Sequence, residues 1–142
     1  MIEYQKILNN NMLNVLKDIL FNIKENGLSS NNHLYITFIT SHKNVELPNW
    51  LKKKYPEEMT IVIQYEYYDL KINKNNFSIS LSFNNIKTNI KVDYNSIISF
   101  ADPSANFGLI LQKNKIENKP KKNLGNNSKK NNVINFSKYK KN

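Results

Sequence analysis

The sequence predicts a mainly β (α+β) domain, a barrel or sandwich of short strands, carried behind one N-terminal helix and followed by a polar tail. Three observations predict it. Residues 4–26 place apolar side chains in a helical rhythm. Residues 34–111 hold short runs of β-branched and aromatic residues broken by turn-forming ones. The last thirty residues hold 10 lysines and a single acid, Glu117, with few apolar residues. With 142 residues there is room for one domain with a real core plus extensions.

The helix is read over Tyr4 to Asn26. Apolar residues at 4, 7, 8, 12, 13, 15, 16, 19, 20, 21 and 23 follow the i, i+3, i+4 spacing of one helix face. Asn26-Gly27 is a stop signal, because glycine accepts the left-handed conformation that ends helices. The stripe is wide for a surface helix. One edge of it can lie on the strand domain while the other meets a second copy, with Leu8, Met12, Leu16 and Ile19 expected at that interface.

Leu34 to Thr40 reads as the first strand and Thr60 to Tyr68 as the second. Between them runs a long excursion with Val45-Glu46-Leu47-Pro48, the lone Trp50, lysines 52–54 and Tyr55-Pro56-Glu57-Glu58. Apolar residues on so long a connection point to a binding site. Leu51 to Lys54 suits one helical turn. Leu70 and Ile72 mark a third strand. Phe77, Ile79, Leu81 and Phe83 alternate with serines and so share one strand face. Ile86, Thr88, Ile90 and Val92 alternate likewise after Asn84-Asn85, which makes 77–92 the clearest hairpin in the chain. Ile97, Ile98 and Phe100 belong to another strand, Asp102-Pro103-Ser104 to a turn, and Phe107 to Leu111 to the last strand.

Chemistry-bearing motifs are scarce. There is no cysteine, and the glycines are Gly27, Gly108 and Gly125, too scattered for a phosphate loop. His33 and His42 have no partner at a metal-ligand spacing, and Glu57-Glu58 is the sole adjacent acid pair. No metal, cofactor or enzymatic activity is expected. The net charge of +10 is concentrated at one end: residues 1–112 carry 11 lysines against 10 acids, and residues 113–142 carry 10 against one. The domain is therefore near neutral, and the tail is basic. No apolar run is long enough to span a membrane, and MIEYQKIL lacks the basic start and apolar stretch of a signal peptide, so a soluble cytoplasmic protein is expected.

Residues 112–132 cannot bury enough apolar surface to order themselves and read as a flexible linker. Residues 133–142 restore anchors, Val133, Ile134, Phe136 and Tyr139, as a short peptide motif for a partner would. The expected organisation is thus a helix at 1–27, a β domain at 28–111, a linker at 112–132 and a peptide motif at 133–142.

Four blocks carry a family resemblance: LYITF at 34–38, VELPNWLKKKYPEEMTIVIQ at 45–64, FSISLSFNNI at 77–86 and ISFADPSANFGL at 98–109. They resemble the SspB family of the alphaproteobacterial type, adaptors of the ClpXP protease, and VINFSKYKK resembles that family's C-terminal ClpX-binding peptide. The resemblance implies a non-enzymatic homodimer paired through its helix, with a small open β-barrel similar to the Sm fold. It implies a groove that binds the ssrA tag, the C-terminal tag encoded by tmRNA and added to stalled translation products, and a tail that docks on ClpX. Val45, Leu47 and Pro48 are then expected as the groove wall. Gln64 and Tyr65 are expected as hydrogen-bonding residues, and Phe83 and Asn85 as the floor. The alternative from composition alone is an Sm- or OB-like RNA-binding module with a basic tail; the near-neutral domain counts against it.

Overall fold

The computed structural model describes residues 1–29 and 31–111. The expected linker at 112–132 and peptide motif at 133–142, with Val133, Ile134, Phe136 and Tyr139, lie outside the described residues.

Helix α1 spans Tyr4–Asn26 and ends at Gly27, whose φ of 80° is left-handed and whose N–H donates to the Ile23 carbonyl at 2.8 Å. Its buried residues are Met12, Leu13, Leu16, Leu20 and Ile23, one stripe laid on the strands. The strands are β1 (Leu34–Ile39), β2 (Glu58–Ile63), β3 (Tyr68–Ile72), β4 (Asn76–Phe83), β5 (Ile86–Asp93), β6 (Ile97–Asp102) and β7 (Phe107–Ile110). The run expected as one strand over 60–68 is therefore two elements. β2 stops at Ile63, and the chain bends through Gln64-Tyr65 before β3 begins. Short helix α2, Asn49–Lys54, follows Pro48, and its Leu51 is buried.

Two antiparallel sheets result, ordered β2-β1-β6-β7 and β3-β4-β5. They face each other across one core in which Ile36, Phe38, Ile61, Ile63, Phe77, Ile79, Ile90, Ile97 and Phe100 are almost wholly buried. The barrel is open, and β2 is an edge strand. The β4–β5 hairpin pairs in unbroken register from Asn76↔Asp93 to Phe83↔Ile86. That leaves Asn84 and Asn85 as a two-residue loop. Both have positive φ, 54° and 66°, as a type I′ turn requires, and asparagine is the non-glycine residue that best accepts this conformation. Ile86 closes the hairpin but lies exposed, so the buried face of β5 begins at Thr88.

The two sheets are joined on one side by Glu46. Its N–H donates to the Lys91 carbonyl at 2.9 Å, and the Lys91 N–H donates back at 3.0 Å. This short bridge carries the β1–α2 connection onto β5. Asp102 caps the turn after β6 by accepting from the Ser104 N–H, and its other oxygen accepts from Asn32 Nδ2 at 2.7 Å. No helix among the described residues is long and apolar enough to cross a membrane.

Candidate functional site

The open side of the barrel forms a cleft of about 430 Å³. One wall is the free edge of β2, with Thr60, Ile61 and Val62. The facing wall is the end of β4, with Leu81, Ser82 and Phe83, and the bend Gln64-Tyr65-Glu66 closes one end. The topology explains the opening. The last pair between β3 and β4 is Tyr68↔Ser80, so Leu81, Ser82 and Phe83 of β4 have outrun their neighbour on that side. An edge strand leaves alternate N–H and C=O groups without a partner strand. The cleft is therefore bordered by backbone able to pair with an added peptide.

Its side chains suit that guest. Phe83 is half-buried and Leu81 buried, which gives the cleft an apolar floor. Tyr65 stands at the rim, 69% exposed, with its ring edge-on to His33 at 6.3 Å. Large exposed tyrosines supply contact area at small entropic cost, which is why they anchor interfaces. Gln64 adds amide donors and an acceptor. Lys87 places its ammonium 4.2 Å from the centre of the Tyr68 ring and so pins the start of β3 beside the cleft. The single charged side chain lining the cleft is Glu66, and no lysine lines it.

Three of the expected groove residues, Gln64, Tyr65 and Phe83, thus meet in one cleft. Asn85 lies beyond Phe83 in the type I′ turn and does not line it. Val45, Leu47 and Pro48 sit elsewhere. Val45 is 2% exposed, a core residue, and Leu47 packs against the same core. The Glu46–Lys91 bridge holds this segment on β5, four residues along the strand from Lys87, or about 13 Å. Packing accounts for Val45 and Leu47; Pro48 stands at the start of α2, and Trp50 and Tyr55 of the excursion remain exposed. The lining residues missed in sequence are Thr60, Ile61 and Val62 of β2, Leu81 and Ser82 of β4, and Glu66. The signal for Glu66 is the apolar run broken at Gln64, which marks a bend and not a longer strand.

The expected helix interface divides as well. Leu16 is 0% exposed and Met12 4%, both inside the chain's own core, a placement at odds with their facing a partner. Leu8 is 44% exposed, and Ile19, about three turns further along the same outer flank, is partly buried. Tyr4 and Val15 continue this flank at helical spacing. Beside it, Val15, Ile19, Ile23, Leu28 and Phe107 line an apolar groove of about 560 Å³ between α1 and β7.

Among the described residues there is no group of three or more histidines and acids placed to hold a metal. His42 serves its own turn, its Nδ1 accepting from the Asn44 N–H at 3.1 Å. Among the described residues, Tyr94 is the one group with a displaced pKa: burial pushes its hydroxyl up to about 12.

No match to the chain was found among curated proteins. The family model described as stringent starvation protein B (SspB) matches residues 6–141. That match runs from the first turns of α1 through both sheets and covers nearly the whole sequence; the chain belongs to the SspB family.

Proposed function

We propose that this chain is a ClpXP adaptor, which holds ssrA-tagged proteins in the β2–β4 cleft and tethers them to ClpX through residues 133–142. The observation that carries it is the meeting of Gln64, Tyr65 and Phe83 at the free edge of β2 in a chain of the SspB family, a family of adaptors. An extended peptide laid along β2 gains main-chain hydrogen bonds from the edge. Its side chains alternate between the apolar floor and the rim. With Glu66 in the lining and no cation, the cleft suits an internal stretch of a tag better than a terminal carboxylate.

Tethering follows from the linker length. Residues 112–132, if a flexible coil, span about 25 Å on average. Such a tether gives an effective concentration on the order of millimolar, so two weak contacts reinforce each other. A homodimer through the outer flank of α1 (Tyr4, Leu8, Val15 and Ile19) doubles the number of tails. ATP-driven unfolding belongs to the partner, and the chain itself acts without catalysis, in the cytoplasm.

Fluorescence anisotropy with a labelled tag peptide tests the cleft. Tyr65→Ala removes an exposed side chain and leaves the core intact. The expected result is at least about tenfold weaker binding, against no change for Trp50→Ala. Equal affinity for Tyr65→Ala and the parent refutes this cleft as the tag site. Deleting residues 133–142 tests the tether: tag binding persists, and accelerated degradation by ClpXP is lost. A truncated chain that still accelerates degradation overturns the tethering role.

A further inference from the structure

A second cleft, on the opposite side of α1 from the apolar groove, has a different chemistry. It measures about 180 Å³ and is lined by Asn10, Leu13, Asn14 and Lys17 of α1, by Lys74 and Asn75 of the β3–β4 turn, and by Tyr94 and Asn95. Asn10, Asn14 and Lys17 are spaced i, i+4, i+7 and so project from one helix face. The lining contains two ammonium groups and four side-chain amides, but no carboxylate. The ion pairs among the described residues are Lys6–Glu3 and Lys91–Glu46, so neither Lys17 nor Lys74 is neutralised in that way. Asp93, next to Tyr94 in the chain, is buried and accepts from the Asn95 N–H at 2.7 Å; it does not line the cleft.

The walls are held in place before any ligand arrives. The β3–β4 turn is closed by Asn73 N–H to the Asn76 carbonyl at 2.8 Å and by Asn73 Nδ2 to Asn76 Oδ1 at 2.8 Å. The Tyr94 N–H donates to the Asn75 carbonyl at 3.0 Å, and the Tyr94 hydroxyl donates to the Asn73 carbonyl at 3.2 Å. Lys17 Nζ is held 4.6 Å from the centre of the Tyr94 ring. With its pKa at about 12, Tyr94 stays neutral at physiological pH and offers no anion to compete for the lysines.

We infer that this cleft binds a small oxyanion, a phosphate or a carboxylate, between Lys17 and Lys74, with the asparagine amides donating to its remaining oxygens. The size admits one such group. The near balance of charge over residues 1–112 gives no surrounding basic stripe for a long nucleic-acid strand. An ion there links α1 to the β3–β4 turn, and so clamps the helix to the smaller sheet alongside the existing Lys24 Nζ to Leu70 carbonyl bond at 3.2 Å.

The test is an amide NMR titration of the full chain with sodium phosphate, and separately with N-acetylglutamate, at constant ionic strength set by sodium chloride. Saturable shifts at Asn14, Lys17, Lys74 and Asn75 are expected in at least one titration, with a Kd on the order of 1 mM. The anion that saturates identifies the source. Binding also raises the thermal midpoint relative to matched chloride. Lys74→Gln, a turn substitution outside the core, is expected to weaken binding at least tenfold while keeping the parent midpoint in chloride. Shifts no larger than those from chloride, failure of both anions to saturate, or a Lys74→Gln chain that titrates like the parent overturns the inference.

Discussion

Leu16→Ala separates the two roles open to α1. Leu16 is 0% exposed within a single chain, so its side chain belongs to the fold and not to a partner. The substitution removes three carbons, a transfer loss of about 2.4 kcal/mol at about 0.8 kcal/mol each. The cavity left under a helix packed on the core adds to that, and the expected total is about 3 kcal/mol, within the usual range for buried leucine truncations. With a urea slope of about 1.5 kcal/mol per molar, the unfolding midpoint falls by roughly 2 M. The assay is urea unfolding followed by circular dichroism, paired with sedimentation equilibrium of the folded chain. Leu16→Ala is expected to lose this stability and keep the parent's association state. Leu8→Ala, on the 44%-exposed flank, is expected to do the reverse: under about 1 kcal/mol of stability and weakened self-association. A Leu16→Ala chain that unfolds within about 1 kcal/mol of the parent yet dissociates more readily refutes the division of the helix into a core stripe and an outer flank.

Three further outcomes are expected. Asn85→Gly relieves the residual strain of a left-handed asparagine in the type I′ turn and should raise the thermal midpoint slightly. Asn85→Val should lower stability by at least about 1 kcal/mol, since β-branched residues resist positive φ, and an unchanged midpoint for the valine variant rules out this turn type. Tyr94→Phe should cost about 1 kcal/mol at neutral pH by removing the hydroxyl donor to Asn73. Its pH dependence has a definite sign. The native hydroxyl titrates near 12 and the unfolded one near 10, so the native state holds its proton longer and stability falls as pH rises across that window. Tyr94→Phe should flatten this alkaline loss, and an identical alkaline profile would disprove the assignment. Glu66→Lys should change tag-peptide affinity in opposite directions for acidic and basic peptides of equal length; anisotropy that is blind to the swap would remove Glu66 from the recognition surface.

The sequence by itself determined the elements whose signals are local. The α1 boundaries follow from apolar spacing and from Gly27. The β4–β5 hairpin follows from strict alternation around Asn84-Asn85, since strand period and turn chemistry are set by neighbouring residues. The family blocks placed the fold class as well. What tertiary structure alone decided is which apolar residues are free. Val45 and Leu47 looked like a binding surface because they interrupt a polar connection, yet the Glu46–Lys91 bridge folds that connection onto β5 and buries Val45. Met12 and Leu16 share a wide helical stripe with Leu8 and Ile19. No periodicity tells which edge of such a stripe the sheets will cover, because that depends on where strands distant in sequence pack. The cleft itself is a product of register. It exists because β4 outruns β3 beyond Ser80 while β2 has no outer neighbour, a mismatch of strand ends that is set by pairing across the fold.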